Sequence, residues 1–244
     1  MSSDEILELP GKIAKDRGIK IVICIDEFQQ IGEFNNPRAF QANLRAKWQL
    51  QQNVSYCLFG SRRHMMMEVF GKSSMPFYKF GAVYFLEKID EAFWPDFIIR
   101  EFTKTGKTIN REQCKEIVSL VDNNPYYVQQ LSQLVWFHTI DSPCSYEIIH
   151  EAFEDLLRQL GELNRALTLT LTIPQQNLLH AMVNKERSLS SRETMSRYGL
   201  KSTTEISRAR KALVSMDILD DFGKIYSFED PVYEYWLKNV FFAK

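Results

Sequence analysis

Two carboxylates, Asp26 and Glu27, close the apolar run IKIVICID, and a hydroxyl followed by two guanidinium groups, Ser61, Arg62 and Arg63, closes a second run, NVSYCLFGS. Polar groups at such tips carry chemistry because, in open α/β sheets, ligands bind just outside the carboxyl ends of the strands. In nucleotide-hydrolysing proteins an Asp placed there helps hold Mg²⁺, and an acid beside it can orient or deprotonate an attacking water. Asp26 is therefore the candidate magnesium residue and Glu27 the candidate catalytic base. Ser61 is the candidate sensor of a γ-phosphate, and Arg62 and Arg63 could bring positive charge to a phosphate. The competing readings are plain: strands often end in acids because the next loop is solvated, and arginines more commonly form surface salt bridges.

The two runs must be strands for this chemistry to follow. Both are continuous apolar stretches, which suit strands buried on both faces of a parallel sheet. Between them PRAFQANLRAKWQLQQ starts at Pro37 and sets Phe40, Leu44, Trp48 and Leu50 along one side of a helix, so the segment reads as a β-α-β crossover. AVYFL is a third, shorter strand after a loop rich in Gly, Ser, Met and Pro. From about Asp90 to Leu160 the pattern becomes helical, with breaks at Thr105-Gly106, Asn123-Asn124-Pro125 and Asp141-Ser142-Pro143. Beyond Ile173, three short helices opened by Pro, Ser or Thr precede DILDDFGKIYSF, which reads as a hairpin turning at Asp221-Phe222-Gly223. Three helices and a small hairpin are the winged-helix arrangement. In the terminal DPVYEYWLKNVFF, Tyr233, Trp236, Leu237 and Val240 fit one side of a docking helix.

Composition narrows the setting. Of 244 residues, 45% are apolar and 25% charged, as in an ordinary globular chain, and a net charge of −1 gives the molecule no overall attraction to polyanions or membrane surfaces. Cys24, Cys57, Cys114 and Cys144 are scattered, which suits free thiols in a reducing compartment, and the two in strand runs read as small hydrophobes. No Cys or His pair has the short spacing of a tetrahedral zinc site. No apolar run nears the roughly 18 residues of a membrane span, and MSSDEILELP lacks a basic segment followed by an apolar one. A cytoplasmic protein without membrane partners is the expectation.

IVICIDEFQQI, YCLFGSRRHMM, NNPYYVQQL and EDPVYEYWL occur in an order and spacing that resembles archaeal-type ATPases of the STAND branch, relatives of the AAA-type ATPases. The resemblance implies an α/β fold: a partial P-loop ATPase parallel sheet with a helical lid, followed by a C-terminal winged-helix domain. It implies a Walker B strand at 21–27, a sensor-1 strand at 54–61, and domains at 1–88 for the partial core, 89–160 for the lid and 161–244 for the winged helix. It also implies ATP and Mg²⁺ as ligands of the complete protein, with Asn124, Pro125 and Tyr126 near the nucleotide base and Arg62 beside the phosphates. Where the family commonly has glycine before the proline of its lid motif, this chain has Asn123-Asn124.

A phosphate-binding loop needs G-x-x-x-x-G-K-[ST] between a strand and a helix, so that backbone N–H groups surround the phosphates. No such sequence precedes Asp26. The GKT at 106–108 has Glu101 where the first glycine belongs and no buried strand leading into it, so it reads as a connector between lid helices. The resemblance implies the strand order 5-1-4-3-2, whose first strand would then be missing from between NVSYCLF and AVYFL, leaving backbone groups unpaired. The expected function is the C-terminal portion of an ATP-hydrolysing switch, inactive alone, that signals to a protein partner. The alternatives are a non-catalytic adaptor scaffold and a winged-helix DNA binder using Lys201, Arg208, Arg210 and Lys211, weakened by Glu205, Asp217, Asp220 and Asp221.

Overall fold

Parallel pairing of two strands carries the candidate site. In the computed structural model, which describes residues 3–140, 143–221 and 226–243, β1 (Ile21–Ile25) and β2 (Val54–Leu58) run side by side, with Ile21 opposite Val54 and Ile25 opposite Leu58. The chain divides into two units, Met1–Phe85 and Leu86–Lys244. The first unit begins with α1 (Ser3–Arg17), which sequence reading did not anticipate, and joins β1 to β2 through a 3₁₀ turn (Phe28–Glu33) and α2 (Pro37–Trp48). α3 (Arg63–Gly71) follows β2.

One face of this sheet is covered. Ile25, Tyr56 and Leu58 pack against a cluster of Phe28, Ile31, Leu44, Trp48, Val69 and Phe77. Trp48 stacks on Tyr56 at 4.0 Å, and the fully buried Phe77 meets Phe28, Trp48 and Phe80 edge-on at 5.5, 5.9 and 5.0 Å, within the range aromatic pairs favour. Phe40, Leu44 and Trp48 lie on the inward side of α2 as its periodicity predicts, whereas Leu50 is beyond the helix and 75% exposed.

The expectation of strands buried on both faces fails. Val22 is 67% exposed, and Cys24 and Cys57 are exposed rather than acting as core hydrophobes. Burial alternates along both strands because no described element packs on their second face. Residues 82–86, expected as a third strand, are not a strand at all, and Val83, Tyr84 and Leu86 stand exposed. β-propensity expresses itself through cross-strand packing, and the only partner β1 and β2 have among the described residues is each other.

The second unit is helical, with α4 (Trp94–Thr103), α5 (Arg111–Leu120), α6 (Pro125–His138) and α7 (Tyr146–Thr170), then α8 (Ile173–Val183), α9 (Arg192–Arg197) and α10 (Thr203–Ser215). Caps set most of these starts: Asn110 with Gln113 forms a capping box on α5, and Asn124, Ser145, Ser191 and Ser202 each accept a backbone N–H of the helix they open. α7 runs unbroken through residues 160 and 161. β3 (Leu219–Asp220) and β4 (Ser227–Phe228) pair antiparallel, and α11 (Pro231–Trp236) closes the chain with a π turn (Leu237–Phe241). One core, including Ile117, Leu131, Leu156, Leu179, Leu213 and Leu237, runs through these helices. Tyr233, Trp236 and Leu237 are buried as the terminal pattern predicts, but Val240 is 53% exposed because the π turn shifts its direction. The expected turn residues Phe222 and Gly223 and the break residues Asp141 and Ser142 lie outside the described residues.

Candidate functional site

The chain leaves β1 through a sharp change of direction. Asp26 caps it locally, its carboxylate accepting the Glu27 N–H at 2.8 Å, while Glu27 adopts left-handed backbone angles with φ 51°. A carboxylate residue pays little for that conformation only where local bonds hold it. Beyond it, the Phe28 N–H donates to Phe59 O at 3.0 Å and the Phe59 N–H to Ile25 O at 3.1 Å, so the ladder of β1 and β2 continues to the edge of the site.

This geometry brings Glu27 and Ser61 together. The Ser61 hydroxyl donates to the Glu27 carboxylate, 3.1 Å from Oε1 and 3.4 Å from Oε2. Gln29 Nε2 donates to Oε2 of the same carboxylate. Gln29 is only 1% exposed, and its Oε1 has no hydrogen-bond partner. Gly60 makes room for it: a Cβ at residue 60 would lie 1.8 Å from Gln29 Oε1. Sequence reading singled out Glu27 and Ser61 but passed over Gln29 and Gly60, since neither type announces acid-base chemistry. Their sole signal is their place beside the two strand tips.

Arg62 precedes α3, exposed, and forms an ion pair with Glu33 at 3.7 Å. Arg63 lies over the Phe85 ring at 5.5 Å. Asp26 is exposed and offers hard oxygen donors with Glu27 and Ser61 close behind it in the fold, a donor set suited to Mg²⁺. The carboxylates of Asp26 and Glu27 are acceptors when ionised and offer phosphate oxygens no donor, so by their chemistry they suit a cation and not a triphosphate. Among the described residues no group of three or more His, Cys, Asp or Glu gathers as a metal site.

Asn124, Pro125 and Tyr126 stand in the second unit at the start of α6. Asn124 Oδ1 accepts the N–H of Tyr126 at 3.1 Å and of Tyr127 at 3.4 Å, Pro125 occupies the first turn, and Tyr126 is 65% exposed. Asn123, before this cap, is left-handed, with φ 53°, and its amide accepts from Trp94 Nε1 at 2.6 Å and donates to Ile89 O at 2.8 Å. Tyr126 also walls a cleft of about 710 Å³ between α4 and α6, with Phe97, Phe102 and Trp136. The GKT segment is a helix end. Gly106, at φ 77°, donates to Thr103 O and Lys107 N–H to Phe102 O, the paired bonds of a Schellman motif, and the Lys107 ammonium is held by Trp136 O and the Trp136 ring.

A family model described as "Probable winged helix domain" matches residues 163–239. No curated protein sequence matches the chain. Among solved structures, the Walker-type ATPase PABY2304 of Pyrococcus abyssi is similar, with a TM-score of 0.68 and 15% identity over 97% of this chain and 68% of that one. No helix among the described residues is long and apolar enough to cross a membrane. The chain thus shares the fold of that Walker-type ATPase over most of its length, mostly helical with a small parallel sheet, and has a C-terminal region matching the winged-helix model.

Proposed function

We propose that this chain is the C-terminal portion of a STAND-type ATP-dependent switch, holding the magnesium and water side of a nucleotide site and inactive without a phosphate-cradling segment. The observation that carries the reading is the Ser61–Glu27 hydrogen bond at 3.1 Å across the tips of two parallel strands. In this reading Asp26 holds Mg²⁺, which would neutralise phosphate charge, and Glu27 serves as the base that orients water. Both oxygens of Glu27 are engaged by Ser61 and Gln29. The hydroxyl of Ser61 has one proton and serves one acceptor at a time. Drawn to another anionic oxygen, it releases Oε1 of Glu27 while Gln29 keeps Oε2, which gives the sensor role a physical form. Arg62 would follow by exchanging Glu33 for phosphate.

Titration with a fluorescent ATP analogue tests this. The chain alone is expected to show no saturable micromolar binding, and a longer chain that adds a phosphate-binding loop upstream is expected to bind with Mg²⁺ dependence that Asp26→Asn removes. Micromolar binding by the 244 residues alone would contradict the incomplete site, and failure of the extended chain would favour the adaptor reading. DNA binding is the weaker reading because Arg210, one of its four candidate cations, lies over Tyr226 at 4.7 Å, and Glu205 accepts the Lys201 N–H at 2.8 Å beside the start of α10.

A further inference from the structure

Two thiols face each other on the uncovered side of the sheet. Cys24 and Cys57 are direct partners in the register of β1 and β2, both free and both exposed. In a parallel ladder both side chains leave the same face, and the strand spacing of about 4.8 Å puts their Cα atoms inside the roughly 4.4–6.8 Å window for a disulfide. The other two cysteines provide contrast within the same molecule. Cys114 and Cys144 are buried, and burial pushes the Cys114 thiol up to about 12 and raises that of Cys144, which keeps both protonated and unreactive.

We propose that Cys24 and Cys57 form a vicinal dithiol, a modification site at which an oxidant of the peroxide class is reduced while strands β1 and β2 become joined by a disulfide. The first thiol, as thiolate, attacks one peroxide oxygen, the O–O bond breaks, and the products are a sulfenic acid and water. The second thiol, as thiolate, then attacks the sulfenic sulfur, the S–O bond breaks, and the hydroxide leaves as water with the thiol's proton. Two thiols and one hydrogen peroxide give one disulfide and two waters, and an organic peroxide would release its alcohol in place of the first water. Cys24 lies two residues before Asp26, which directly follows the last residue of β1, so the link fastens the strands at the base of the candidate site.

The test uses the full chain, reduced and freed of reductant. With a thiol-reactive dye, Cys24 and Cys57 are expected to label quickly in the native protein and Cys114 and Cys144 only after denaturation. Equimolar hydrogen peroxide should remove both fast thiols together, and peptide mass spectrometry should find Cys24 linked to Cys57 within one monomer, reversibly with dithiothreitol. In Cys24→Ser or Cys57→Ser the link is lost and the remaining cysteine accumulates as a sulfenic acid that dimedone traps. Phenylarsine oxide, which needs two adjacent thiols and no oxidation, should protect both fast thiols at one arsenic per chain in the parent protein and neither single variant. Sulfenic acid accumulating at both cysteines without a link, links only between chains, or no protection by the arsenical would each overturn the proposal.

Discussion

Gly60→Ala puts the site's packing to a quantitative test. The added Cβ would lie 1.8 Å from Gln29 Oε1, 2.9 Å from Gln29 Cδ and 3.3 Å from Met66 Sδ. An exposed amide would swing away at little cost, but Gln29 is 1% exposed and its Nε2 is committed to Glu27. Overpacking of this kind costs about 1–3 kcal/mol, and a hydrogen bond to a charged group contributes roughly 1.5–3 kcal/mol, of which water recovers a large part because Glu27 is only half-buried. The sum is a loss of about 2 kcal/mol in the first unit, equivalent to a roughly thirtyfold rise in opening. Hydrogen exchange of the β1 and β2 amides, read by mass spectrometry, measures that opening directly.

The double-mutant cycle decides whether Gln29 is the reason. In a Gln29→Ala background the clash is gone, and Gly60→Ala should cost well under about 1 kcal/mol, leaving a coupling of similar size to the single-variant loss. Equal cost in both backgrounds would refute the argument and point to the residue 60 backbone instead. A single variant whose strands exchange at the parent rate would refute the close approach itself.

Other outcomes follow from the second unit. Tyr127 donates to Asp230 Oδ2 at 2.5 Å, tying α6 to the residue that caps α11, so Tyr127→Phe should cost about 1–2 kcal/mol in urea unfolding. Burial and then Asp230 hold the Tyr127 phenol well above its ordinary value, burial raises Tyr233, and burial pushes Cys114 up to about 12. All three are neutral in the fold with raised folded values, so their stabilisation is complete below their ordinary values and declines as pH rises toward the folded ones. Urea midpoints should therefore fall from roughly pH 9 upward, less steeply in Tyr127→Phe. Asn123→Gly should keep the left-handed turn but leave the buried Trp94 N–H without its acceptor, costing about 1–3 kcal/mol, and Asn123→Ala should cost more because it adds backbone strain. Binding of the chain to duplex DNA should stay weak at low salt, and a steep salt dependence would revive the DNA reading.

What the residues announced, and what they hid, divides along a physical line. Helix starts were legible because Asn124, Ser191 and Ser202 act on N–H groups only two or three positions away, and such local chemistry is written in order along the chain. The strand tips were legible too, since an apolar run ending in Asp26-Glu27 or Ser61 leaves its polar groups at the sheet's carboxyl edge. The bond between Glu27 and Ser61 was not, because it depends on a left-handed φ at Glu27 and on the register of β1 with β2. Gln29 and Gly60 were hidden for the same reason: their significance is a close approach across 31 residues of chain.

AVYFL and the exposed cysteines are the instructive failures. Val83, Tyr84 and Phe85 carry strong β-propensity, yet residues 82–86 form no ladder, because that propensity measures fit to a neighbouring strand rather than a preference of the isolated backbone. Cys24 and Cys57 read as core for the same mistaken reason: an apolar run promises burial on both faces only if something covers both. The described residues cover one. The segment at 82–86 and the open face of β1 and β2 are therefore apolar groups whose sequence anticipates more packing than the described residues supply, and in the proposed function Asp26 and Glu27 likewise require a phosphate cradle. A single added element that paired the sheet and brought N–H donors to its carboxyl edge would answer both deficits together. The extended-chain titration thus carries a structural corollary: restored nucleotide binding should coincide with slowed hydrogen exchange at residues 82–86, and binding restored without that protection would separate the two.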